Sequence, residues 1–132
     1  MTPVPPVSAL SPVAARVLTP VLLVLSNIFM TYAWYGHLRD LRTAPIWLAI
    51  AASWGVAFFE YCLQVPANRI GFQEAGFSLQ QLKVMQEIIT MAVFAGFAMW
   101  YMRERLTLDF LWASLCLVGA AVFMFRGVSA PA

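Results

Sequence analysis

The chain has 132 residues, of which 62% are hydrophobic and only 11% charged, and its formal net charge is +2. A soluble protein of this length has too little interior to hide so much apolar surface, and about a quarter of the residues in an average soluble chain are charged. The positive charge is too small and too scattered for nucleic-acid binding, which needs a basic stripe. Composition therefore predicts one small domain whose partner is the lipid bilayer.

Helix-length apolar segments follow one another along the chain. Residues 17–36 contain no charge, and twenty helical residues at about 1.5 Å each cross a hydrocarbon core of about 30 Å. The sequence predicts an all-α integral membrane bundle of four transmembrane helices with short loops and both termini on the same side. The predicted spans cover about residues 17–37, 46–65, 79–102 and 108–126. Residues 13–127 form the single domain, between a flexible proline-rich tail at 1–12 and a short tail at 128–132.

Local signals predict where the helices begin and end. Pro66 predicts the end of the second span, because proline disfavours helical geometry in the residue before it. Ser78 and Gln81 have the spacing of a capping box, which predicts that the third span begins near Leu79. Thr107 is a suitable cap for the fourth span.

The second and third spans each contain a carboxylate, Glu60 and Glu87. If the second span ends at Pro66, the two lie about 8 and 12 Å from the same surface and can be close. Lys83 and Arg69 are cations near that depth. In one interpretation the four side chains form structural ion pairs that hold the hairpin together. In the other, at least one carboxylate exchanges a proton for a cationic substrate.

Further candidates for a proton or substrate site are polar or aromatic residues within the spans. Gln64 shares a helix face with Ser53, Ala57 and Glu60 at helical spacing. Trp54 lies in mid-span and is a candidate member of an aromatic box for a quaternary ammonium group. The sequence offers no plausible metal cluster, no nucleophile with a base and no phosphate-binding glycine loop. We therefore expect no catalytic residues, no metal and no cofactor, and predict that the protein is not an enzyme.

Assembly is predicted from size and from small residues. Four helices of about twenty residues enclose little space, so a homodimer would build a larger cavity. In the fourth span Cys116, Gly119, Ala120 and Ala121 form a small-residue patch that permits close packing, within the chain or between chains. Lys and Arg are evenly divided between the two sides, so the positive-inside rule gives no clear orientation and dual insertion stays open.

Several segments resemble known membrane families. The sequence MRERLT at 102–107, followed by an apolar span containing GAAV at 119–122, resembles the end of a repeat unit in the drug/metabolite transporter superfamily, although Arg103 stands where that pattern usually has glycine. The chain also resembles a family of four-span bacterial proteins of unknown function in that superfamily, in segments 29–37, 59–62, 65–71 and 81–87. This resemblance implies a multi-pass protein of the bacterial inner membrane.

The chain is also similar in size and span number to the small multidrug resistance family. The resemblance implies a comparison with that family's membrane-embedded glutamate in the first span, and Asn27 stands at the corresponding position. Asparagine cannot titrate, so either the proton site has moved to Glu60 or Glu87, or the chain does not use that mechanism.

Two functions remain open at this point. The first is a small transporter of the drug/metabolite type that exports a small cationic or amphipathic metabolite by proton coupling. The second is a membrane scaffold or assembly protein that transports nothing and whose buried charges are structural.

Overall fold

The computed structural model describes residues 10–126, and all regular structure in this part of the chain is helical. The helices are α1 (Pro12–Tyr35), α2 (His37–Asp40), α3 (Ile46–Gln73), α4 (Leu79–Gly96) and α5 (Leu108–Phe125), and a π-helical turn (Phe97–Tyr101) extends α4. Four helical stretches are long and apolar enough to cross a membrane: Pro12–Asp40, Ile46–Gln73, Leu79–Tyr101 and Leu108–Phe125. The predicted all-α architecture with four spans is confirmed.

Side-chain caps define three of the helix starts. The Ser78 hydroxyl accepts from the Gln81 backbone N–H at 3.1 Å, and the Gln81 side chain accepts from the Ser78 backbone, so the predicted capping box is present. The Thr107 hydroxyl accepts from the Phe110 N–H at 3.1 Å, as predicted. Ser11 caps α1, which therefore begins at Pro12, earlier than predicted. Residues 1–9 and 127–132, which include most of the two predicted tails, lie outside the described residues.

The helix α3 continues through Pro66 to Gln73, so the predicted end at Pro66 is wrong. A proline inside a helix removes one backbone hydrogen bond, and in membranes neighbouring helices compensate for that loss. Here the turns after Pro66 are packed: Ala67 and Gly71 are buried. A Cβ atom on Gly71 would lie 2.8 Å from both Thr19 Cγ2 and Leu82 Cδ2. Close packing against α1 and α4 therefore holds the last two turns of α3 in helical form.

The helices α1 and α3 pack antiparallel along their lengths and form the best-buried part of the molecule. Their contact includes Thr19 at Gly71 near one end and the Phe29 and Phe59 rings, with centroids 6.5 Å apart, near the middle. At the first of these ends the Arg16 Nε donates to the Ala75 carbonyl at 3.1 Å. We call this end, which includes the α3–α4 connection at residues 74–78, the loop end.

The helix α5 lies at the edge of the bundle, and none of its residues is buried. It packs chiefly against α4, through the Phe94 and Phe110 rings at 5.8 Å. In the predicted small-residue patch, Cys116 is exposed, and a Cβ atom on Gly119 would meet nothing within 4 Å. The patch at Gly119 is therefore not used for packing within the described part of the chain.

The connection before α5 contains a strained residue. Arg103 has a φ of 56°, in the left-handed region that favours glycine. The Glu104 N–H donates to the Ala98 carbonyl at 2.8 Å and closes the turn. The position at which the drug/metabolite transporter pattern usually has glycine is thus one where the backbone favours that residue.

Candidate functional site

Glu60 lies in the middle of the longest helix and is fully buried. It is fourteen residues after Ile46 and thirteen before Gln73, and a helix of 28 residues is about 42 Å long, close to the full thickness of a bilayer with its headgroups. The exposed fraction of Glu60 is 0%, and neither carboxylate oxygen has a hydrogen-bond partner among the described residues. Because α3 passes through Pro66, the carboxylate lies near the middle of the membrane rather than near its surface.

Polar side chains of α1 line the same buried layer. The contact between Phe29 and Phe59 places Glu60 level with about residue 28 of α1. Asn27 is 5% exposed, and its Nδ2 donates to the Leu23 carbonyl at 2.7 Å. Its Oδ1 accepts a hydrogen bond of 2.6 Å from the Thr90 hydroxyl of α4. Asn27 and Thr90 therefore join α1 to α4 at about the level of Glu60.

The sequence prediction missed most of the polar stripe on α1. Thr19, Ser26 and Thr31 are all buried, with exposed fractions of 0 to 1%. The Thr19 and Ser26 hydroxyls donate to backbone carbonyls of α1 itself. Because their hydroxyls are hydrogen-bonded in this way, these small polar residues can face another helix. The available signal was the helical spacing of these residues with Asn27: Ser26 follows Thr19 by about two turns, and Thr31 follows Asn27 by about one turn.

Amide side chains connect α3 to α4 on the loop-end side of Glu60. The Gln64 Nε2 donates to the Gln86 Oε1 at 3.1 Å, and the Gln86 Nε2 donates to the Asn68 Oδ1 at 2.6 Å. We call Gln64, Gln86 and Asn68 the amide ladder. Gln64 is thus engaged with α4, one helical turn from Glu60, and the sequence did not identify Gln86 and Asn68 as the other members of the ladder.

The predicted network of four charges is not formed. Glu87 pairs with Lys83 on its own helix, with Nζ and Oε1 2.5 Å apart, and these side chains are 44% and 71% exposed. Arg69 is exposed and has no salt-bridge partner among residues 10–126. The expectation that the two carboxylates share a depth depended on α3 ending at Pro66. Glu60 instead lies deeper and is fully buried, whereas Glu87 lies nearer the surface on α4.

Trp54 lies on the outer surface, with 76% of its area exposed. A side chain that faces the lipid in this way does not enclose a cation together with the buried Glu60. In a single chain, Trp54 is therefore not part of the Glu60 layer.

A second polar cluster lies at the opposite end of the molecule. The Asp40 carboxylate accepts hydrogen bonds from the Tyr32 hydroxyl at 2.6 Å and from the Tyr101 hydroxyl. The Arg39 guanidinium donates to the Tyr101 carbonyl at 2.7 Å and lies 4.5 Å above the Tyr101 ring. We call these four residues the Asp40 clamp. It ties α1 and α2 to the π-helical turn.

The arrangement can hold a proton or a cation at one buried carboxylate. Within the described residues, no group of three or more His, Cys, Asp or Glu side chains is placed to hold a metal ion. Glu60 is the titratable side chain that these residues bury most completely. Among residues 10–126, no cationic side chain forms a salt bridge with it and no hydrogen-bond donor reaches its oxygens.

Comparison with known proteins gives one match. The family model DMT_6, described as "Putative member of DMT superfamily (DUF486)", matches residues 19–125. Neither the curated proteins nor the solved structures gave a significant match. DMT denotes the drug/metabolite transporters, and the four apolar helices agree with a multi-pass membrane protein. With most of its length covered by that model, the chain belongs to the DMT_6 family.

Proposed function

We propose that the chain is the subunit of a small transporter of the bacterial inner membrane, in which Glu60 exchanges a proton for a small cationic or amphipathic metabolite. The observation that carries the proposal is the complete burial of Glu60 in mid-helix, with both oxygens unpartnered among residues 10–126. Membership of the DMT_6 family supports transport at the general level.

The physical argument concerns the charge of the buried carboxylate. An ionised carboxylate without a partner is strongly disfavoured in an apolar interior. A proton neutralises it in one state, and a cationic substrate neutralises it in another. Because both ligands compete for the same two oxygens, entry of the cation releases the proton. Such competition is sufficient to couple the two movements.

We further propose that the active form is a homodimer. Four helices of this length leave little room for a substrate inside one chain. Support comes from α5, which has no buried residue, and from Gly119, where an added Cβ atom would meet nothing within 4 Å. Small residues on a membrane helix allow a second helix to approach closely. A partner copy at this face would enlarge the cavity around the bundle.

The alternative is a membrane scaffold or assembly protein that transports nothing. The exposed ion pair between Lys83 and Glu87 favours it, because a charged pair on the outside of a span is a suitable contact for a partner protein. In that case Glu60 carries no exchangeable proton linked to a substrate.

The test measures proton exchange at Glu60 directly. In purified protein we expect the wild type to take up one more proton than Glu60→Gln as the pH falls through the range of about 9 to 5. Addition of tetraphenylphosphonium, a lipophilic cation, is expected to release that proton. Glu87→Gln is the matched control, since it makes the same chemical change at an exposed carboxylate. Circular dichroism checks that both variants remain folded.

Two outcomes separate the proposals. Proton uptake that is lost in Glu60→Gln and kept in Glu87→Gln supports the proton site. Identical titration of the wild type and Glu60→Gln across that pH range overturns it and favours the scaffold.

A further inference from the structure

The amide ladder leads from a surface groove towards Glu60. The groove lies between α3 and α4 near the loop end and has a volume of about 390 Å³. It is lined by the polar side chains Asn68, Arg69, Lys83 and Gln86 together with apolar ones that include Phe72 and Leu82. Asn68 and Gln86 are bonded to each other, and Gln86 accepts from Gln64. Gln64 is one helical turn from Glu60, so polar side chains extend from the groove to within about 6 Å of the carboxylate along the helix axis.

The depths of these residues match a path into the membrane. Arg69 is four residues before the end of α3, and Lys83 is four residues after the start of α4, so both lie about 6 Å inside the helix ends. This is the thickness of the headgroup layer. Asn68 lies at nearly the same level as Arg69, and Gln64 lies about 6 Å deeper along α3.

Polar groups at these depths need water or one another. Lipid offers no hydrogen-bond partners, so amides facing the hydrocarbon are disfavoured unless they line a wet cavity. The groove has room for several waters. Directly beneath the Asp40 clamp there is much less space: the cavity lined by Tyr32 and Ser53 among others has a volume of about 40 Å³. Two wider grooves at that end lie away from this cavity, at Trp100 with about 440 Å³ and at Leu108 with about 480 Å³.

We infer that the groove between α3 and α4 is the solvent route by which Glu60 exchanges its proton, that it opens at the loop end, and that the Asp40 clamp closes the space between α1 and α3 directly beneath it at the far end. The inference rests on the proposed function of Glu60 and adds the path and the open side. Arg69 and Lys83 stand at the mouth, and with Glu87 beside Lys83 they leave one net positive charge there. That charge makes the mouth more accessible to small anions than to small cations.

Thiol accessibility tests the route without reference to Glu60. In a background of Cys62→Ala and Cys116→Ala, Asn68→Cys places a thiol in the groove. Val65→Cys is the matched control, because Val65 is on the same helix, three residues away, and is 49% exposed on the surface. A thiol reacts as its thiolate, which forms only where water reaches it. In proteoliposomes we expect Asn68→Cys to react with water-soluble methanethiosulfonates about tenfold faster than Val65→Cys.

Reagent charge tests the mouth. Rates are measured with the 2-sulfonatoethyl and the 2-(trimethylammonium)ethyl reagents, and each is divided by the rate of the same reagent with free glutathione. We expect the normalised rate at Asn68→Cys to be higher for the anionic reagent, and Arg69→Gln to reduce that preference. Arg105→Gln, which removes an equal charge elsewhere, is expected to leave it unchanged. Equal rates at positions 68 and 65 overturn the route, and a preference for the cationic reagent overturns the role of the mouth.

The closed end has its own measurement. Ser53→Cys in the same background is expected to stay unreactive, and to become reactive when Asp40→Asn weakens the clamp. Reactivity of Ser53→Cys with the clamp intact overturns the closed end.

Failure of the route and failure of the proton site give different results. A reactive Asn68→Cys in a protein whose Glu60 binds no proton leaves the groove wet and removes the proposed function. Glu60-dependent proton uptake together with an unreactive Asn68→Cys keeps the proposed function and removes the route through the groove. As a second variant, Gln86→Leu is expected to slow proton uptake at Glu60 without changing the number of protons bound, and an unchanged rate contradicts the route.

Discussion

The contact between α1 and α3 and the contact between α4 and α5 use different kinds of surface. In the first, small residues let the helices approach closely, and hydroxyls and a carboxylate are buried between them. In the second, large aromatic rings meet at the edge of the bundle, and no residue of α5 is buried. The first pair of helices therefore specifies the shape of the bundle and contains its buried polar chemistry. The last helix presents most of its surface to the lipid or to another protein.

The largest effect is expected from breaking the closest helix contact. Gly71→Val adds a Cβ atom that would lie only 2.8 Å from Thr19 Cγ2 and from Leu82 Cδ2. The two γ carbons of the valine add to this clash. Overpacking of this kind costs about 3 kcal/mol of unfolding free energy. The measurement is unfolding in detergent micelles followed by circular dichroism. Gly55→Val on the same helix is the control, because a Cβ atom there meets nothing within 4 Å. Equal losses in the two variants would contradict the close approach of α1 and α3.

The next prediction concerns the carboxyl group that is buried in the same contact. Glu60→Leu is expected to raise the unfolding free energy by about 2 kcal/mol, since a buried polar group without a partner is destabilising. Proton uptake should be lost in the same variant. For Glu87→Leu, at an exposed ion pair, we expect a change of at most about 0.5 kcal/mol. A Glu60→Leu variant that is less stable than the wild type would mean that the carboxylate is hydrogen-bonded in the membrane.

A smaller gain is expected in the connection that leads to α5. Arg103→Gly removes a side chain from a residue with a φ of 56°, where a non-glycine residue costs about 1 kcal/mol. We expect unfolding to require about that much more free energy. Arg105→Gly removes the same side chain two residues along and is not expected to stabilise the protein. A gain of equal size at both positions would point to loss of charge repulsion rather than relief of backbone strain.

The smallest effect within the chain is expected on α5 itself. Gly119→Val adds atoms to a position with open space around it, so unfolding of the single chain should change by less than about 0.5 kcal/mol. The same variant should lower the dimer fraction in sedimentation equilibrium, because it widens the face at which we place the second copy. Val118→Leu, on a neighbouring exposed face, is the control for added volume. An unchanged dimer fraction in Gly119→Val would place the second copy elsewhere.

Local signals in the sequence predicted the fold well. The caps at Ser78 and Thr107 depend on side chains within three residues, and both helices begin where those residues indicate. The Pro66 signal failed because it is also local, whereas the burial of Gly71 against Thr19 depends on another helix. The local preference of proline against helical geometry is overridden because the following two turns of α3 pack against other helices.

The candidate site was predicted in part. Glu60 was identified because a carboxylate in an apolar span is unusual, but its depth was underestimated together with the length of α3. Asn27 was singled out by the comparison with the small multidrug resistance family, and it is bonded to Thr90 beside the Glu60 layer. The pairing of the amide side chains and the face of α4 that carries Glu87 both depend on how each helix is rotated about its axis. Sequence spacing alone does not determine that rotation.

The two prolines within the packed helices have a mechanical consequence. Pro20 in α1 lies about 12 Å from the start of its helix, and Pro66 in α3 lies about 10 Å from the end of its own, so both are at a similar height on the loop-end side. Each leaves a carbonyl four residues earlier without its usual donor, and helices bend most easily at such points. Two flexible joints at one height allow the outer third of α1 and the outer quarter of α3 to swing together, while the far end, held by Tyr32 and Tyr101, stays fixed. Such a molecule can widen on one side of the membrane while α1 and α3 stay packed against each other in the middle.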